Sequence, residues 1–260
     1  MAVHFSKSSA FIGQTNRELR MLRHFVSATE KGLKAAREAD HAEIKQMFDQ
    51  YGEDSEVMIL MAGGGHAEVH YEEIPRSLRY SQVASIFFTV EDRLVQLCDH
   101  IYDKKEGLPK KVGEIKGNSQ FKACKTFLTE FVDAEVTVWD DLELARMVRN
   151  CIGHGNGFPD RLKSKNDRKA LREGVEVDES LSLSSGDRLV IPSVYVSRLL
   201  DVACTLFEEV FTNLDLGEGS YVELEGLPSR FGFMIDHGRK DWAVMPLDQP
   251  DLPGAGAEPE

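Results

Sequence analysis

Val83-Ala84-Ser85-Ile86-Phe87-Phe88-Thr89-Val90 is the most apolar stretch of the chain. Pro75 opens the segment that holds it, at a position where the first turn of a helix tolerates proline. The spacing predicts a helix from about 76 to 103. A helix that is apolar on most faces sits at the centre of a bundle. The run is far too short to span a membrane.

Helical periodicity continues on both sides. Leu19, Leu22, Val26 and Leu33 predict a helix over 14–37, with Gln14-Thr15-Asn16 as N-cap chemistry. Ile44, Met47 and Phe48 predict a shorter helix over 40–50. Val57–Met61, Gly63-Gly64-Gly65 and His66–Tyr71 read as a small hairpin. Residues 107–118 read as a loop. Phe121, Cys124, Leu128 and Phe131 mark one further helix. Val138, Leu142, Ala145, Val148 and Ile152 mark the next, which stops in Gly153-His154-Gly155-Asn156-Gly157, a run of stop signals. Residues 161–173 are basic and helical in character. Val175–Leu183 alternates apolar and polar, as a strand would, and Leu189-Val190-Ile191 can pair with it. Pro192 begins a last long helix carrying Val196, Leu199, Ala203, Leu206, Phe207 and Val210. Residues 219–247 read as a small β appendage, and the closing QPDLPGAGAEPE as a disordered tail. The expected class is mainly α, a helical bundle with small strand decorations. The expected divisions are 1–74, 75–215, 216–248 and 249–260.

Composition narrows the function. The net charge is −13 over 260 residues, so bulk charge does not coat nucleic acid. The charge is uneven. Residues 126–145 hold six acids and no Lys or Arg, 104–125 hold seven Lys and two acids, and 161–172 hold six Lys/Arg and one Asp. Such segments are usually solvated surfaces. Cys98, Cys124, Cys151 and Cys204 have no paired spacing, which predicts neither a disulfide framework nor a zinc knuckle. The N-terminus lacks a signal-peptide run. The expected location is the cytoplasm, with no membrane association.

Leu144-Ala145-Arg146-Met147-Val148-Arg149-Asn150-Cys151-Ile152-Gly153-His154-Gly155-Asn156-Gly157 is the most informative stretch for chemistry. It sets Arg and His at the end of an amphipathic helix. His titrates near neutral pH and can move protons. Arg can grip a phosphate and stabilise charge in a transition state. Together, without a metal, they suit cleavage of RNA, where the substrate's own 2′-OH is the nucleophile. Arg149 and His154 lie five apart, roughly 140° around an ideal helix. The spacing therefore predicts that the helix unwinds at Gly153 or that a second copy completes the site. The plainer reading pairs Arg149 with a carboxylate and makes His154 a helix cap, and on spacing alone it prevails.

Arg149-Asn150-Cys151-Ile152-Gly153-His154 resembles the signature of the HEPN superfamily: Arg, a polar residue, three more, then His. The resemblance extends to its context, a late helix of a bundle preceded by a long helix of the type Phe88-Thr89-Val90-Glu91-Asp92-Arg93-Leu94. It covers about 75–215. It implies a HEPN-type helical bundle, a homodimer and a metal-independent endoribonuclease, acting as a toxin or in antiviral defence beside a neutralising or defence-system partner. Other members of the family are non-catalytic modules that bind RNA or a protein partner. The resemblance makes Arg149 and His154 catalytic, with Asn150 orienting His154 or the phosphate. Arg146, Arg161, Lys163 and Lys165 are the cations expected to hold RNA. Glu91, a carboxylate in an otherwise apolar helix, needs a partner if buried. A salt bridge is the preferred reading, and a link to Arg149 would serve either role.

Other candidates are weaker. Gly63-Gly64-Gly65-His66 lacks the ending of a phosphate-binding loop. Cys151 and His154, or His66 and His70, have metal-like spacing without further ligands. No cofactor is expected.

Overall fold

A computed structural model describes residues 7–52, 69–116, 119–214 and 216. Among them the chain is mainly helical, with one two-stranded antiparallel sheet. The elements are α1 (Lys7–Tyr51), α2 (Ile74–Lys104), α3 (Gln120–Thr126), α4 (Trp139–Gly155), α5 (Lys165–Val177), β1 (Ser182–Leu183), β2 (Leu189–Val190) and α6 (Ser193–Asn213).

α2 occupies the centre. Val83, Ile86, Phe87, Val90, Leu94 and Leu97 are fully buried, and α1, α3, α4 and α6 pack around it. Each such side chain contributes about 1.5–3 kcal/mol by leaving water. Burial of this one helix therefore outweighs any single surface ion pair, worth roughly 0–1 kcal/mol. α1 contributes Leu19 and Val26 to the same core. Polar ties fix its register along α2: Arg93 binds Glu18, and Arg79 holds Glu30 in a two-pronged pair at 2.9 Å.

Three local expectations are corrected. The helices expected at 14–37 and 40–50 are one continuous helix. Thr15 is not its cap: the hydroxyl donates to the Phe11 carbonyl one turn back, inside the helix, at 3.0 Å. Val69–Tyr71, the end of the expected hairpin, winds into a π-helical turn over Val69–Glu73 that runs straight into α2; the rest of that hairpin lies outside the described residues. The expected strand at 175–183 is helical as far as Val177. Its apolar alternation lost to a helical pair, because Leu171 and Val175, one turn apart, both reach the core. Only Ser182–Leu183 pairs with Leu189–Val190, in the register Ser182↔Val190 and Leu183↔Leu189. The expected appendage and tail beyond 216 lie outside the described residues.

This small sheet clamps the exit of α4. Asn156 adopts a left-handed conformation with φ of 50°, and Gly157 follows at φ 82°. The Gly157 carbonyl accepts from the Leu189 amide at 2.8 Å. The Leu189 carbonyl accepts from the Tyr80 hydroxyl of α2 at 2.6 Å. Arg188 donates to the carbonyl and to the side-chain oxygen of Asn156, each at 3.0 Å. A Cβ on Gly157 would fall 2.0 Å from the Tyr80 hydroxyl oxygen. We expect Gly157→Ala to cost about 1–2 kcal/mol for the backbone and about 1 kcal/mol more for the displaced Tyr80 bond. A thermal melt of the purified variant should fall by several degrees; an unchanged melting temperature would contradict the clamp.

Candidate active site

A cleft of about 510 Å³ opens beside the C-terminal half of α4. Arg146, Arg149, Asn150 and His154 line it from α4, Ser119 and Lys122 from the start of α3, and Ser164, Asn166 and Asp167 from the start of α5. The local reasons are simple. Residues three, four and eight apart share a helix face, which gathers the α4 set. Ser119 caps α3 by accepting from the Lys122 amide at 3.3 Å. Ser164 caps α5 by accepting from the Asp167 amide at 3.2 Å. Gly174 lets α5 lie close on α4, since a Cβ there would meet the Leu144 side chain at 2.5 Å.

α4 does not unwind at Gly153; it runs to Gly155. Arg149 and His154 nevertheless line one cleft in a single chain. Of the two expected devices, unwinding at Gly153 is therefore corrected; the Arg149 guanidinium turns to Glu91 and the Phe87 and Phe88 rings, while His154 stands exposed on the last turn.

Arg149 is held from three sides. Its Nη2 donates to Glu91 Oε2 of α2 at 2.9 Å. Its Nη1 donates to Asn150 Oδ1 at 2.9 Å. The guanidinium carbon lies 5.0 Å from the ring centres of both Phe87 and Phe88. Glu91 also accepts from the Phe121 amide at 3.2 Å, tying α3 to the same carboxylate. The link from Glu91 to Arg149 is thus present, and Asn150 bonds to Arg149. By contrast, His154 is exposed.

The expected RNA-holding cations separate. Arg146 lines the cleft but is buried: its side chain is 7% exposed. It donates to Glu143 through Nε at 3.0 Å and Nη2 at 2.7 Å, with Asp167 3.8 Å away. Burial would raise the Glu143 carboxyl, yet Arg146 and Lys122 together hold it below its usual range. Arg146 therefore serves as a neutralised wall. Arg161 stacks on Phe158 at 4.2 Å. Arg161, Lys163 and Lys165 are exposed and are not among the residues lining the cleft. Lys163 and Lys165 flank Ser164, which does line the cleft, but their own side chains are turned to solvent.

Lys122 is the cation that sequence reading missed. Its side chain is about half exposed, 3.5 Å from Glu143 Oε1. The signal available was its place in the basic segment 104–125, three residues after a capping serine. Ser164, Asn166 and Asp167 had no comparable signal, since only the packing of α5 on α4 brings them in.

Cys151 is buried, and burial pushes its thiol up to about 12. With His154 exposed on the same helix, the two do not form a ligand pair. Among the described residues no three His, Cys, Asp or Glu side chains gather as a metal-holding group, and no helix is long and apolar enough to cross a membrane. Neither a family model, nor a curated protein, nor a solved structure matches this chain.

Proposed function

We propose that the chain is a metal-independent endoribonuclease of HEPN type, acting as a toxin or a defence effector in the cytoplasm. The observation that supports this reading best is that Arg149, Asn150 and His154 line one cleft, together with Lys122. In this reaction neutral His154 takes the proton of a ribose 2′-OH, and the 2′-oxygen attacks the adjacent phosphorus. The 5′-oxygen leaves as an alcohol after taking a proton from the imidazolium. The products are a 2′,3′-cyclic phosphate and a 5′-hydroxyl end. Arg149, fixed in orientation by Glu91 and Asn150, stabilises the charge that builds on the phosphoryl oxygens.

Single-stranded RNA incubated with the purified chain should be cut to fragments ending in cyclic phosphate, and cutting should persist in EDTA. Activity abolished by chelation and restored by a divalent ion would overturn the metal-independent mechanism. Expression in a bacterium should arrest growth, and a neutralising partner should relieve the arrest. The family resemblance further implies a homodimer whose interface includes the end of α4. Light scattering at micromolar concentration should report twice 29.2 kDa; a monomer would defeat that part of the reading.

A second reading, a non-catalytic module that binds RNA or a protein partner, draws on the Glu91 bond. An Arg already paired with a carboxylate has less charge to offer a phosphate. RNA binding without cleavage would favour it.

A further inference from the structure

Phe88 stands apart from its surroundings. It lies in the central helix, flanked by the fully buried Phe87 and Val90, yet 55% of its surface is open to solvent. Ser85 and Ala84, one turn back on the same face, are small and only half-buried, and Ser81 beyond them is exposed. Nothing bulky on that face overhangs the ring from the preceding turn. The Phe88 ring centre is 5.0 Å from the guanidinium carbon of Arg149, and Arg149 is a wall of the candidate active site. The fold thus leaves an open aromatic ring beside the group that would hold a phosphate, with the guanidinium anchored by Glu91 and Asn150.

We propose that Phe88 is a stacking platform for a nucleobase of single-stranded RNA, next to the phosphate that Arg149 engages. The proposal rests on the ribonuclease reading above and adds how substrate is held. Two features favour a base over other occupants. The ring adjoins a cation that matches the phosphate of the same nucleotide. The net charge of −13 also leaves affinity in need of a contribution that does not come from bulk charge. Stacking on an aromatic ring supplies one and tolerates any base, because every base has a flat π face. Phe88 is then a residue that positions substrate, and it takes no part in proton transfer.

The test uses the full chain carrying His154→Ala, so that RNA is bound without being cut. Affinity is measured by fluorescence anisotropy for an unstructured single-stranded RNA and for the same strand with abasic sites. Phe88→Leu keeps an apolar side chain and removes the π face. It should weaken binding of the intact strand by roughly 5- to 150-fold, the range expected for one stacked base. Phe88→Trp should restore it. The abasic strand should bind equally well with and without the Phe88→Leu change. The melting temperature should fall only slightly, since the ring is more than half exposed and the change gives up its contact with the Arg149 guanidinium. Equal affinity of the Phe88→Leu protein for the intact strand overturns the proposal. So does a change of oligomeric state with RNA affinity untouched, which would make the ring a protein-docking contact. Phe88-dependent binding together with no cutting by the chain that keeps His154 would sustain the stacking role and defeat the ribonuclease reading. Cutting that is indifferent to Phe88→Leu, in both KM and kcat, would do the reverse. A chain that does not bind RNA defeats both.

Discussion

His154→Ala should abolish RNA cleavage and growth arrest while leaving the fold untouched. Loss of a positioned acid or base costs roughly 10²–10⁴ in rate, enough to erase a growth phenotype. The stability side can be argued independently. His154 is exposed in the last turn of α4, and among the described residues no hydrogen bond or ion pair holds it. Truncation opens no cavity, and alanine is the better helix former by a few tenths of a kcal/mol. The variant should therefore melt at or slightly above the wild-type temperature. Rates and melts measured on the same preparation decide the matter: a His154→Ala protein that melts like wild type and keeps full effect ends the catalytic reading and leaves the binding module.

Glu91→Ala is expected to act in the opposite way, through stability. It removes the carboxylate that Arg149 bonds at 2.9 Å, where both side chains are less than one-fifth exposed. The Arg149 Nε is already buried without a partner. The charge would be stranded against Phe87 and Phe88, and the Phe121 amide would lose its acceptor. Breaking a buried pair from one side costs about 3–5 kcal/mol. Removing both sides should be milder, so the double variant Glu91→Ala/Arg149→Leu should be more stable than Glu91→Ala alone. Denaturant midpoints for the set test this; strict additivity of the two single changes would show that the pair is not coupled. Arg149→Lys isolates the chemistry. It keeps the charge and loses the planar fork, so activity should drop with a smaller loss of stability than Arg149→Leu brings.

These two residues show how far local sequence reaches. The Arg149-Asn150-Cys151-Ile152-Gly153-His154 spacing identified a helix end rich in chemistry, because helical period and glycine stop signals are properties of the chain itself. A partner for Glu91 was predictable, since a carboxylate in an apolar helix cannot stay alone. Arg149 could be named as a candidate partner from the sequence, and the packing of α2 on α4 makes the bond across 58 residues. Lys122, Ser164 and Asn166 enter the cleft on helices set by long-range contacts.

What the sequence by itself determined is the mainly α class, the central place of α2 and the helix whose C-terminal end carries Arg149, Asn150 and His154. Each follows from apolar periodicity, which records burial residue by residue. Only the tertiary structure decided that α1 is unbroken, that Val175 is helical, and that Arg146 is neutralised while Lys122 faces the cleft. Those outcomes depend on which neighbour a side chain meets. A helix near its breaking point, an alternating apolar run and a lone cation each have two local solutions close in energy. A contact from another element, such as Asp167 beside Arg146 or the core around Leu171 and Val175, selects between them.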